Sequence, residues 1–466
     1  ISKDFPYNET YESSLINDTS VTNLNFSCKK HSYIINDIFM VTLIHENSSF
    51  NPTYYVNYKP ELHQLLPTLW STSTFISLKK LSSIGIGHGF LSKIITKRQR
   101  LAFNFLKKYF PEFPGEVLGK IAFLAGFDSI GFLKIAPFLL DDNVEEFFID
   151  RPNSPIYIDH SKWGRCKSNI LITSNDINRI LTQLKAESGL RLDMLSPSLK
   201  TDIITKIFHV RVSADISPLT VDGPSIIFRC FKRKPLTIID LINNGTLSIK
   251  AAAYLIFCLF HRRNIMAIGE PASGKTTLIN ALDMITPPHW RKISIESAVE
   301  SIRQVNLEHY QVRYRVDPFE SSKPLRRKYT EVIKLLHRSP NFIFLGELLT
   351  HEHVKALFYA LLSGLKGLET CHASSLKALI LKWTLYYKIP WFYLPELDVV
   401  IQMKRILLPL VNKRLVWRIS EIELIESNDY DHVKMHNFPQ AFRILDIFKY
   451  DSINGLSPTV NLYETP

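Results

Sequence analysis

The stretch that decides the fold is Asn264–Leu282, "NIMAIGEPASGKTTLINAL". Its apolar "IMAI" has the length of a buried strand, a glycine-bounded loop follows, and "TTLINAL" starts a helix. Gly269-Glu270-Pro271-Ala272-Ser273-Gly274-Lys275-Thr276 satisfies G-x-x-x-x-G-K-[ST] in full. The glycines let backbone N–H groups converge on phosphate oxygens, and the opening of the helix adds partial positive charge. On this reading these eight residues and Thr277 bind the phosphates of a nucleotide such as ATP. Lys275 reaches the β- and γ-phosphates, and the Thr276 hydroxyl ligates Mg2+. A chance match in a Gly/Ser-rich turn would not come with strand, loop and helix in order. The stretch predicts a P-loop NTPase.

Such an enzyme needs an acid on a second strand. "FIFLGELL" (342–349) is an apolar run carrying Gly346-Glu347, 72 positions beyond Lys275. Many P-loop enzymes put Asp where Gly346 sits. Here a glycine leaves space, and Glu347 is the acid placed to orient water or a metal-bound water. "KISIESAVE" (292–300) offers Glu296 as a second acid for the same cleft. Either alone could be a surface carboxylate at a strand end; after a phosphate loop the pair carries more weight. "GLKGLETCHASS" (364–375) adds Thr370 and His372. His372 could donate to a γ-phosphate and sense its loss, or be an ordinary core or surface histidine. Cys371 and His372 are not a nucleophile pair, since neighbours on a strand point to opposite faces. "HEH" at 351–353 lacks the four-residue spacing of a helical zinc motif.

A chain of 466 residues has room for about two to three domains. No apolar run approaches the roughly 20 residues of a membrane-spanning helix, and "AAAYLIFCLF" from Ala251 reads as a buried helix. The opening "ISKDFPYNET" lacks the layout of a secretory signal. Five scattered cysteines form no C-x-x-C pair, against a zinc site or disulfide framework. The net charge of +12 suits phosphate-rich partners, nucleic acid or anionic lipid. It equally suits a solvated surface, since the basic clusters are short: "KRQR" at 97–100, "KRK" at 232–234 and "RRK" at 326–328.

Residues 1–30 are polar and aperiodic and are expected to be a flexible start. Two β-rich runs, 33–44 and 54–58, are split by "HENSSFNP", and "ELHQLLPTLW" and "RLAFNFLKKYF" (100–110) have helical spacing. A second β-bearing unit runs from 141–160 to "SIIFRCF" (225–231). The chain is expected to break near 235–247. This gives an α+β N-terminal domain over 31–240, alternatively two pieces, 31–110 and 111–240, and an α/β P-loop domain over 241–466.

Together, "GEPASGKTT", "ISIESAVE", "FIFLGELLTHE" and "GLETCHASS" resemble the secretion and pilus-assembly ATPase superfamily, which powers type II and type IV secretion, type IV pili and archaeal flagella. The archaeal motors look closest, because "LLDDNVEEFFIDRPNSPIYIDH", "HVRVSAD" and "IIFRCFKRKPLTIIDLINNGTLS" are similar to their N-terminal segments. The resemblance implies a homo-hexamer on the cytoplasmic face of the membrane, with a RecA-like C-terminal domain that hydrolyses ATP. It implies an integral membrane platform protein as partner, beside anionic lipid headgroups. It also implies that Arg211 and Arg229 are offered to the phosphates, where surface salt bridging is the plainer alternative. Several positions depart from the family pattern. Ser297 replaces an Asp, Leu349 an Arg and Thr350 a Gly, and "LHRSPN" with His337, Ser339 and Asn341 stands for L-R-x-R-P-D. Binding of ATP is expected to survive these losses; turnover and coupling between subunits are what they put in question. A nucleic-acid motor would need a basic, aromatic-lined channel, and no such stripe shows in the sequence. A nucleotide-binding subunit with weak turnover is the other alternative.

Overall fold

Period-two burial builds the first sheet. Its strands are β1 (Lys29–Ile35), β2 (Phe39–His45), β3 (Thr53–Tyr58), β4 (Val144–Ile149), β5 (Ser154–His160), β6 (Gly164–Ile172), β7 (Ser198–Ile204), β8 (His209–Asp215) and β9 (Ser225–Phe231). They lie in the order β1-β2-β3-β6-β5-β4-β9-β8-β7. Neighbours run antiparallel except β3 and β6, which are parallel. This is a computed structural model, and it describes residues 29–45, 51–78, 85–231, 235–297, 299–304, 308–316, 328–408, 411–424, 442–451 and 455–459. The flexible start expected at 1–30 lies outside them up to Cys28, as do the basic cluster 232–234 and Arg326-Arg327.

The run expected over 33–44 is not one strand. Asn36 and Asp37 both take positive φ, 47° and 57°, and turn β1 back into β2. Their short polar side chains tolerate the left-handed backbone that a tight hairpin needs. One face of this sheet buries Val41, Leu43, Tyr54, Phe147, Val212 and Phe228. They share a core with Leu69, Leu106 and Ile121 from the helices Leu66–Leu78, Phe90–Tyr109 and Gly115–Ser129. The helix Ser174–Ser188 opens on a capping box between Thr173 and Asp176 and closes on Gly189 at φ 67°.

A row of charge crosses six strands of this sheet in register. Asp202 on β7 faces Arg211 on β8, which faces Arg229 on β9. Arg229 faces Glu146 on β4, then comes Asp159 on β5 and Arg165 on β6. Two arginines side by side would repel, but each has an acid on its outer flank. Arg211 Nε lies 3.0 Å from Asp202 Oδ1, and Arg229 Nε lies 3.7 Å from Glu146 Oε1. Arg165 grips Asp159 through two N–H groups, at 2.6 and 3.0 Å.

The second sheet is mostly parallel. Its strands are β10 (Ile265–Gly269), β11 (Lys292–Glu296), β12 (Gln311–Arg315), β13 (Phe342–Leu348), β14 (Gly367–His372), β15 (Val399–Leu408), β16 (Val411–Leu424), β17 (Phe442–Asp451) and β18 (Gly455–Pro458). Their order is β12-β11-β13-β14-β10-β15-β16-β17-β18. From β12 to β15 the pairings are parallel. The β16–β17 and β17–β18 pairs are antiparallel. Every residue of β10 is buried, as a parallel strand covered on both faces requires. Ile265 and Ala267 pack with Ala251, Leu255, Leu278 and Leu282 of the helices Ile249–Phe260 and Lys275–Asp283. Met266 and Ile268 pack on the other side with Val354, Leu357 and Phe358 of the helix His351–Leu362.

The chain divides into two compact units, Ile1–Arg233 with Pro409–Asn412 and Lys234–Leu408 with Lys413–Pro466. The first is α+β; the second is α/β. Among the described residues no single helix is long and apolar enough to cross a membrane.

Candidate functional site

The loop between β10 and the helix Lys275–Asp283 is built for close approach by backbone. Gly269 has φ 154°, and a Cβ there would stand 2.5 Å from Met403 O and 2.6 Å from Ser273 Oγ. Gly274 has φ 94° and caps the helix; Ala272 is also left-handed, at φ 58°. Lys275, Thr276 and Thr277 open that helix, where amides have no intrahelical acceptor. The Arg414 Nε donates to Ala272 O at 2.7 Å and ties the loop to β16. Ser273 Oγ is buried with no hydrogen-bond partner among the described residues. Glu270, Pro271 and Thr277 are exposed. Exposed loop, helix amides and an orphaned hydroxyl together fit a ligand rich in acceptors, as ATP is.

Lys275 is only 6% exposed. Its ammonium donates to Gly269 O at 3.1 Å and Glu270 O at 2.8 Å, and lies 3.4 Å from His372 Nδ1. The contact follows from register, since Gly269 on β10 pairs with His372 on β14. The other ring nitrogen, Nε2, contacts Glu347 Oε1. Lys275, His372 and Glu347 therefore meet at the carboxyl ends of β10, β14 and β13, where open parallel sheets place their ligand crevices. Cys371 turns to the opposite side and is buried in the core there.

Thr276, Glu296, Ser297, Glu300, Glu347 and Leu349 line one cleft of about 100 Å3. A larger groove of about 500 Å3, against the helix Ser174–Ser188, holds none of them. Hydroxyl and carboxylate oxygens are the donor set Mg2+ prefers, so the lining of the cleft, Thr276 included, fits that ion. Glu296 is brought to the cleft, but it is 1% exposed and its oxygens are engaged. Oε1 accepts from the amides of Glu300 and Ser301, at 3.0 and 2.9 Å, and Oε2 from the Ser301 hydroxyl. Burial pushes its carboxyl pKa up against those hydrogen bonds. Glu347, by contrast, has a side chain 41% exposed.

The positions that depart from the motif have local explanations. Thr350 caps the helix His351–Leu362, its hydroxyl accepting from His353 N at 3.3 Å. Asn341 Oδ1 accepts from Arg291 N at 2.9 Å, and its carbonyl takes Arg262 Nη2 at 2.6 Å. Ser297 and Leu349, which stand where the resembled pattern has an acid and an arginine, line the same cleft. Arg211 and Arg229 belong to the first unit, as cross-strand partners ion-paired to Asp202 and Glu146. The last residue of "RRK", Lys328, is not surface charge. Lys328 is 2% exposed and donates to Leu345 O and, at 2.8 Å, to Glu347 O. No sequence signal separates it from a solvated lysine.

The family described as "Type II/IV secretion system protein" matches residues 195–443, more than half of the chain. A Methanocaldococcus jannaschii protein is 31% identical over 47% of this chain and 30% of its own length. Another from that organism is 28% identical over 56% of this chain and 46% of its own length. The chain thus spans less than half the length of these two relatives. The type IV secretion system protein PtlH of Bordetella pertussis is 25% identical over 53% of this chain and 78% of its own length. The structure of the Legionella pneumophila ATPase DotB superposes at a TM-score of 0.47 and 17% identity, covering 62% of this chain and 78% of that one.

Proposed function

Because the chain belongs to the type II/IV secretion system protein family, we propose that it is an ATP-hydrolysing motor at the cytoplasmic face of a membrane, driving assembly of a type IV pilus-like filament or type II/IV secretion. The convergence of Lys275, His372 and Glu347 at three strand ends is the observation that carries this reading. A phosphate-binding cation, a histidine and an acid in contact form a path by which the state of a phosphate can be felt at the acid.

In this reading the loop amides and Lys275 bind the triphosphate of ATP. Lys275 leaves the carbonyls of Gly269 and Glu270 for anionic oxygens, trading neutral acceptors for charged ones. Thr276 holds Mg2+, which when bound neutralises phosphate charge. Glu347 orients the attacking water and accepts its proton. His372, in contact with both, aligns Glu347 and registers departure of the γ-phosphate. The partners are further copies of this chain in a hexamer, an integral membrane platform protein and anionic lipid, and not nucleic acid.

The test is phosphate release measured against protein concentration, with and without vesicles of anionic lipid. A steep rise with concentration and stimulation by the vesicles are expected, with release lost in Glu347→Gln while ATP still binds. Stimulation by DNA instead of lipid would favour a strand-threading motor. Release unchanged in Glu347→Gln would favour a subunit that binds nucleotide without cycling.

A further inference from the structure

Carboxyl groups crowd this cleft: Glu296, Glu300 and Glu347 line it. The residue two places after Glu347 is Leu349, so that position supplies no cation. A buried ammonium reaches the region from elsewhere, at the start of the helix Lys328–Ile333.

Its place is specific. The β13–β14 register jumps between Phe344 and Glu347, and Gly346 within the jump is left-handed at φ 49°. Such an irregularity takes backbone groups out of the ladder and re-aims the side chain beside it. The side chain beside it is that of Glu347. The carbonyls of Leu345 and Glu347 bracket Gly346, and both accept from Lys328 Nζ. From the other side, Thr370 Oγ1 donates to Gly346 O at 3.3 Å. Three consecutive carbonyls are thus held by two side chains.

We propose that Lys328 is a positioning residue for Glu347, pinning the bulge that aims this acid and offsetting the carboxylate charge around it. The proposal rests on the motor reading only in taking Glu347 as the acid of hydrolysis. Lys328 acts through the backbone and not on the substrate. Burial lowers its pKa to about 8, opposed by Glu296 on β11, Glu347 on β13, and Glu369 and Cys371 on β14. His353, in the helix His351–Leu362, also faces it and is held at about 4, mainly by burial. The ammonium is charged below pH 8 and is lost above it, which gives the role a pH signature.

The experiment compares the full chain with Lys328→Met and Lys328→Arg. Steady-state hydrolysis is followed from pH 6 to 10, and amide exchange over 342–350 is followed without nucleotide. In K328M, kcat is expected to fall about tenfold or more while KM for ATP moves less than about threefold. Exchange across the bulge rises. K328R keeps kcat within about threefold, and the alkaline loss of activity that wild type shows near pH 8 moves upward. The proposal is overturned if K328M hydrolyses like wild type, or if exchange over 342–350 is unaltered. Should K328M fail to fold, a folded K328R with wild-type exchange but kcat down about tenfold or more overturns it as well. No hydrolysis by wild type would sink the motor reading alone, and exchange would still decide whether Lys328 holds the bulge.

Discussion

Glu296 occupies the space that Gly346 leaves open. A Cβ at position 346 would stand 2.9 Å from Glu296 Cγ, on a backbone already at φ 49°. Glycine therefore answers two demands here, a left-handed turn and a carboxylate pressed against it. Gly346→Ala is expected to cost about 1–3 kcal/mol of stability. It should also lower turnover by more than that loss explains, because the displaced strand end carries Glu347. Thermal melting and phosphate release on the same preparation check both.

His372 touches Glu347 on one side and faces Lys275 on the other. His372→Ala should lower kcat about ten- to a hundredfold, the usual range for a group that orients another. Nucleotide affinity should change far less, since loop amides and Lys275 remain. Titration with a fluorescent nucleotide, set beside steady-state rates, separates the two. Equal losses in both would place His372 in binding.

Lys292 on β11 and Asp283 at the end of the loop's helix form a buried pair at 3.0 Å, closed by Gln304. Both are about 3% exposed. Removing one partner strands the other charge in the core, which costs about 3–5 kcal/mol. Lys292→Met should therefore melt well below wild type, and Lys292→Met with Asp283→Leu should recover much of the loss. A double-mutant cycle of urea unfolding measures the coupling.

Burial pushes the Glu369 carboxyl up to about 8 from its ordinary 4.5. The folded chain thus keeps a proton that the unfolded chain has released, and stability falls as pH rises from about 4.5 to 8. Glu369→Gln removes that penalty. The variant should be more stable than wild type at pH 8 and nearly equal to it at pH 4.5. Urea melts at the two values give the comparison, and an equal difference at both would refute the assignment.

The phosphate loop was legible because most of its motif answers demands made within the loop. A glycine at φ 154° or 94° and a lysine folded back on its own turn need no distant partner to be recognised. What stayed hidden depends on contacts across the fold. Lys328 reads as surface charge until β13 bulges and presents carbonyls 17 and 19 residues further on. Glu296 looks like an available acid until the turn at 300–301 aims two amides at it. The β1–β2 hairpin had a local signal, Asn36-Asp37, obscured by the apolar residues on both sides. Arg211 and Arg229 were visible as arginines, but their adjacency depends on strand pairing.

That row of charged partners from Asp202 to Arg165 has a consequence for how its sheet aligns. Along β8 exposure alternates residue by residue, with Val210 and Val212 buried on either side of Arg211. Sliding any of these strands by a single residue would drive a guanidinium or carboxylate into the hydrocarbon interior and turn an apolar side chain outward in exchange. The charged ribbon thus works as a key cut to one alignment, penalising every mispaired arrangement of the six strands whatever it adds to the correct one.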